Sequence, residues 1–130
     1  MPMDSVTVYD SVTVTQDNLS SIDWDENYFK WCTFADFSIE GGLIASDFAR
    51  CSFKNLDWYW GLFSDSNFIK CEFKDCVFRG TSFPDTSFVE CTLTNCRFVK
   101  DNLNGDCKFE RTAAYGCTID GGEGFKAEIH

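Results

Sequence analysis

Large apolar side chains recur every five residues over most of this chain, and neither common element of secondary structure has that period. Phe48, Phe53, Trp58, Phe63, Phe68, Phe73, Phe78, Phe83, Phe88, Leu93, Phe98 and Leu103 keep one unbroken register. An earlier run, Leu19, Trp24, Phe29, Phe34, Ile39 and Ile44, has the same spacing, and Phe109 and Ile119 continue it with Ala114 between them. Joining the runs requires one residue lost near Leu43-Ile44 and one gained near Gly105. On an α-helix a step of five rotates the side chain by about 140°, and on a flat strand an odd step alternates faces. A backbone that turns through about a right angle every five residues points all of these side chains inward, and four such turns close a coil of about 20 residues.

The cysteines give an independent reading of the number of sides. Cys51, Cys71 and Cys91 repeat at twenty and extend back to Cys32; Cys76 and Cys96 form a second column, continued past the insertion by Cys117. A fifteen-residue coil would align only Cys76 with Cys91. All eight cysteines sit two positions before a repeat centre, where a small side chain must fit beside a large one. Twelve of the fourteen phenylalanines occupy repeat centres, and each contributes about 1.5–3 kcal/mol on burial before chain entropy is subtracted. Five coils at the ~4.8 Å strand spacing predict a rod of roughly 25 Å.

Ser66-Asn67-Phe68, Cys76-Val77-Phe78-Arg79-Gly80 and Asp101-Asn102-Leu103-Asn104-Gly105 resemble the motif of the pentapeptide-repeat family: a small residue, Asp or Asn, Leu or Phe, a polar residue, then often Gly. The chain departs from it by preferring Phe to Leu and Cys to Ala, and by placing Glu, Lys or Val where Asp or Asn is usual. The resemblance implies an all-β fold, a right-handed quadrilateral parallel β-helix of about five coils. With 130 residues, the chain is one solenoid domain: an N-terminal β capping segment at 1–18, repeats at 19–121, and a C-terminal tail or cap at 122–130. Ser5-Val6-Thr7-Val8 and Ser11-Val12-Thr13-Val14 predict a strand pair or an irregular first coil. After the break at Gly121-Gly122-Glu123-Gly124, Phe125 is expected to fold back over the last coil.

Chemistry finds little support in the residue pattern. The only histidine is His130, so no serine or cysteine has an imidazole to activate it. Cys71-x4-Cys76 and Cys91-x4-Cys96 have the look of a four-thiolate zinc site. The coil, however, puts the members of each pair on different sides with a phenylalanine between them. Catalytic, metal and cofactor sites are therefore expected to be absent; a thiol- or metal-dependent enzyme is the rival reading. No basic leader and no apolar run of about 20 residues appears, which predicts a cytoplasmic protein with reduced thiols and no membrane contact.

Function is then expected on the outer surface. Eleven Lys and Arg against 21 Asp and Glu give a net charge of −10, which disfavours direct nucleic-acid binding and favours a basic protein partner. Residues 1–49 hold nine acids and one base, Lys30. The coil period stacks Glu26, Asp65 and Asp85 into an acidic stripe with Asp25 and Asp47 close by. The next corner carries Trp31, Arg50, Lys70, Glu90 and Arg111. Tyr59 and Trp60, and on another side Tyr28 and Trp31, are outward aromatics of the kind found at interfaces. These nine residues, Asp25, Glu26, Tyr28, Trp31, Asp47, Tyr59, Trp60, Asp65 and Asp85, are the candidate protein-binding set. The family resemblance offers two expectations for the partner of a bacterial chain of this kind. One is a basic toxin neutralised by an immunity protein or antitoxin; the other is a nucleic-acid enzyme such as gyrase, bound by a DNA mimic. A scaffold or adaptor role is a third. A rod of about 25 Å is shorter than one ~34 Å turn of DNA, so mimicry would need an end-to-end dimer in place of a monomer.

Overall fold

The computed structural model describes residues 6–130, so Ser5 of the first Val-Thr run lies outside it. The five-residue turn builds a four-sided parallel β-solenoid of about five coils, with no α-helix among the described residues. We label its faces I to IV in chain order around the coil. Face I stacks seven strands: Val8–Asp10, Asp25–Lys30, Leu43–Ala49, Asn67–Ile69, Ser87–Val89, Ala113–Tyr115 and Glu128–Ile129. Face II stacks six, Thr13–Val14, Thr33–Ala35, Ser52–Lys54, Glu72–Lys74, Thr92–Thr94 and Thr118–Asp120. Face III stacks Ser38–Glu40, Asp57–Tyr59, Val77–Arg79 and Arg97–Val99. Face IV is the least regular: Leu43 and Ile44 pair with Leu62–Phe63, and Ser82 and Lys108 follow as single bridges.

Each repeat centre points inward and lies on its counterpart one coil away. Phe29, Phe48, Phe68 and Phe88 stack with centroids 4.8, 4.9 and 5.0 Å apart. Phe34, Phe53 and Phe73 do the same at 4.7 and 4.6 Å. The rings thus repeat at the strand spacing that the backbone ladder imposes. Trp58, Phe63, Phe78, Phe83, Leu93 and Phe98 complete the core, with Cys51, Cys71, Cys76, Cys91 and Cys96 buried beside them. Two residues past each centre the chain turns through the left-handed region. Trp31, Arg50, Asn55, Trp60, Asp65, Lys70, Asp75, Asp85 and Glu90 all have φ between 51° and 56°. That conformation costs a non-glycine residue roughly 1 kcal/mol or more. A cross-coil hydrogen bond at the same residue offsets it: Arg50 N–H donates to Ile69 O at 2.8 Å and Lys70 N–H to Val89 O at 2.8 Å.

Most inner corner positions hold a short side chain that carries a hydrogen, whereas Phe37 and Leu56 are large buried exceptions. Cys71 and Cys91 Sγ donate to Phe48 O and Phe68 O at 3.3 and 3.2 Å. Ser66 and Thr86 hydroxyls donate to Ile44 O and Phe63 O, both at 2.8 Å. Thiol and hydroxyl are interchangeable here because both bind a carbonyl of the preceding coil. All eight cysteines are free thiols. The Cys71 pKa is raised by hydrogen bonding with the Cys51 and Cys91 thiols and then by burial, and burial raises those of Cys32, Cys107 and Cys117. Gly61 occupies one inner corner because a Cβ there would stand 2.3 Å from Trp58 Nε1. The indole fills that space and donates to Gly41 O at 3.2 Å.

Two coils depart from twenty residues. Tyr28 pairs with Asp47 and Thr33 with Ser52, an offset of nineteen, whereas Asp25 pairs with Ala45. The shortened corner is therefore at Ala45 and Ser46, where Leu43–Ala49 runs from face IV to face I as one strand. Further on, Leu93 pairs with Ile119 and Phe88 with Ala114, an offset of twenty-six. The insertion is six residues, not one, and it corrects three expectations. Leu103 is not a core residue but 79% exposed. Cys117 continues the Cys91 column, with the Thr118 N–H donating to Cys91 O at 2.9 Å, and does not follow Cys96. Arg111 belongs to the Asp85 corner and not to that of Glu90. Asp101-Asn102-Leu103-Asn104-Gly105 resembles a repeat in sequence and is a loop in structure.

At the amino-terminal end the chain forms a partial coil: Val8–Asp10 pairs in parallel with Tyr28–Lys30 and Thr13–Val14 with Thr33–Phe34. At the other end Phe125 covers the core, its ring 5.3 Å from Phe88 and Phe98 and 5.7 Å from Phe109.

Candidate protein-interaction surface

Outward residues one before and one after each centre line the flat faces, and the left-handed residues form the corners. The first described coil on face IV puts Asp23 and Asp25 on the face and Glu26 at the IV/I corner, all exposed. Asp65 and Asp85 sit at that corner in later coils, and Tyr28 and Asp47 lie beside it on face I, paired in register. Six of the nine candidate residues, Asp25, Glu26, Tyr28, Asp47, Asp65 and Asp85, therefore share one edge of the rod.

The edge is not uniformly acidic. Arg111 stands over Asp85, with Nε 2.6 Å from Oδ1 and a second contact of 3.2 Å, and this hydrogen bond holds the Asp85 carboxyl below the usual carboxylate range. Among the described residues no cation lies within ion-pair distance of Asp23, Asp25, Glu26, Asp47 or Asp65. Asp47 instead accepts the Asn67 side-chain amide at 2.8 Å. The II/III corner is built similarly from Asp36, Asn55, Asp75 and Asn95. Asn55 donates to Asp36 at 3.0 Å and Asn95 to Asp75 at 2.8 Å. Asp and Asn suit these corners because their short polar side chains tolerate the left-handed conformation. Sequence reasoning passed over that column, although the Asp/Asn alternation at intervals of nineteen and twenty marks it.

The aromatic candidates separate. Trp31, 59% exposed, lies at the I/II corner with the Arg50 guanidinium 5.4 Å from its ring centroid, an arrangement favoured by the ring quadrupole. Tyr59 and Trp60 lie on face III and its corner with face IV, edge to face at 4.4 Å, and bind the chain's own insertion. Trp60 Nε1 donates to Asp101 Oδ2 at 2.7 Å, and the Asn102 N–H donates to the Tyr59 hydroxyl. Asp101 Oδ1 also accepts the Leu103 and Gly105 amides at 2.8 and 2.7 Å. The Gly105 bond, foremost, holds the Asp101 carboxyl below its ordinary range. Gly80 lies beneath, where a Cβ would come within 2.5 Å of Asp101 Oδ2. The loop is thus braced by its first residue, with Leu103 at its outer side.

No group of three or more His, Cys, Asp or Glu among the described residues is arranged to hold a metal ion. No described helix is long and apolar enough to cross a membrane. The comparison with curated proteins gives no match. The family model for pentapeptide repeats matches residues 62–99, in eight copies, which is the stretch where all four faces keep the twenty-residue coil. Residues 62–99 thus carry the pentapeptide repeat, and the β-solenoid of about five turns continues the same four-sided coil on either side of them.

Proposed function

We propose that this chain is a non-catalytic binding protein that neutralises a basic partner protein, as an immunity protein or antitoxin does. Proteins of the family commonly act by binding other proteins. The observation that carries the reading is the run Asp23, Asp25 and Glu26, exposed at the first coil of face IV with no cation in reach among the described residues. Unopposed carboxylates on a rigid ladder suit a basic cleft and accelerate encounter with it. A continuous imitation of DNA is less well served, because Arg111 interrupts the stripe at Asp85.

The test is co-purification of the chain with the basic product of a neighbouring gene, followed by calorimetry at low and high salt. The triple variant Asp23→Lys/Asp25→Lys/Glu26→Lys is expected to weaken binding about tenfold or more, and salt to weaken the wild type in the same sense. Equal affinity of variant and wild type would remove this edge from the interface.

A further inference from the structure

The centre of the seven strands on face I is Asn67–Ile69. Consider a second copy turned by 180° about an axis lying in this face along that strand. The rows then meet in reverse order while the strands keep their direction, so each outward residue meets the same position of the opposite row. At the I/II corner, Arg50 meets Glu90 of the other copy and Trp31 meets Gly116. In the adjoining column Ile69 meets itself, Ala49 meets Val89 and Lys30 meets Tyr115. At the two ends Asp10 meets His130, which stacks on Tyr115 at 4.8 Å. Large side chains meet small ones and opposite charges meet. Two like pairs fall on the axis row: Asp65 on Asp65 at the IV/I corner, and Lys70 on Lys70, which is flanked by both Glu90 carboxylates, each 3.9 Å from the Lys70 of its own chain.

Other faces lack this property under the same operation. On face II it sets Lys54 against Lys74, and on face IV Asp25 against Glu110. Nor can Arg50 and Glu90 satisfy each other within one chain, because Lys70 lies between them and two strand spacings place them about 10 Å apart.

We propose that face I is the interface of an antiparallel two-fold dimer of this chain. Seven rows across one face amount to about 500 Å² per copy, about 1,000 Å² in all, which is at the lower bound for a specific interface and sets a weak, concentration-dependent dimer. Such pairing is isologous, each patch facing its own copy. It covers Tyr28 and Asp47 on face I and sets Glu26 against Arg111 of the other copy, but leaves Asp23 and Asp25 on face IV uncovered, and so goes beyond the binding role assigned to those two carboxylates.

Sedimentation equilibrium of the full chain under reducing conditions tests it. The wild type is expected to approach twice the chain mass as concentration rises. Arg50→Glu or Glu90→Arg alone is expected to weaken association about tenfold or more, and the double swap to restore it. Ile69→Cys, on the axis, is expected to form a covalent dimer on mild oxidation that the wild type does not form. That variant keeps the test decisive if a charge variant fails to fold by circular dichroism. A chain that stays monomeric at its highest soluble concentration overturns the proposal. So does a dimer indifferent to these substitutions but abolished by Ile129→Asp, which would pair end to end.

Discussion

Between Tyr9 and Ala49, eight carboxylates share one cation, Lys30, which reaches Asp10 at 3.7 Å. From Arg50 onward acids and bases interleave across coils: Arg79 meets Asp57 at 3.0 Å, Arg97 meets Glu123 at 3.4 Å and Arg111 meets Asp85 at 2.6 Å. The backbone beneath is the same in both regions, with the same stacked rings and the same left-handed corners. The difference teaches that a solenoid of this kind specifies its inner residues and leaves the outer ones free. One half can then carry unopposed charge for a partner while the other is neutralised from coil to coil.

The separation between inside and outside can be broken most strongly at the shared core. Phe68 is 1% exposed between Phe48 and Phe88, so Phe68→Ala is expected to cost about 3–5 kcal/mol in urea unfolding, because the ladder above and below cannot collapse into the gap. A comparable loss from a charge reversal on either half would contradict the division. Smaller effects sharpen the electrostatic contrast. Asp25→Lys relieves like-charge crowding and is expected to stabilise by about 0.5 kcal/mol at low salt, whereas Lys30→Glu destabilises by a similar amount; both effects should fade as salt is raised. Equal and salt-independent shifts would show that the amino-terminal acids do not sense one another.

The smallest effect is expected in acid. The folded pKa values of Asp85 and Asp101 are lowered, by the Arg111 hydrogen bond and the Gly105 amide respectively. Their contributions are therefore present above the ordinary aspartate value of about 3.9 and are lost as pH falls through the lowered folded values. Trp60 fluorescence should report release of the loop below about pH 4, while the far-UV spectrum of the solenoid changes later. Release at neutral pH would mean that the Asp101 contacts do not hold the loop.

The four-sided coil was legible in the sequence because large residues and cysteines had to coincide with two independent columns. Past Lys100 the reading failed for a reason built into the repeat. An insertion of six differs from an insertion of one by a whole repeat, so a five-residue period cannot distinguish them, and Leu103 falls in register by position alone. A chemical signal was nevertheless present. The residue two before every buried centre from Phe48 to Phe98 is Cys, Ser, Thr, Gly or Leu, whereas before Leu103 it is Asp101. A carboxylate at an inner corner would be buried without a partner. The acidic edge was legible up to Asp85; its neutralisation by Arg111 was not, because that pairing depends on the true length of the long coil.

The twenty-six-residue coil has one more consequence. Its extra residues leave the solenoid and return at the same corner, and the strands on either side pair as if nothing had intervened: Phe78 with Phe98 before it, Phe88 with Ala114 across it. Length added at the III/IV corner therefore does not propagate along the rod. That corner is a site where the chain can acquire new sequence, and with it new specificity, while the rest of the molecule folds on an unchanged template.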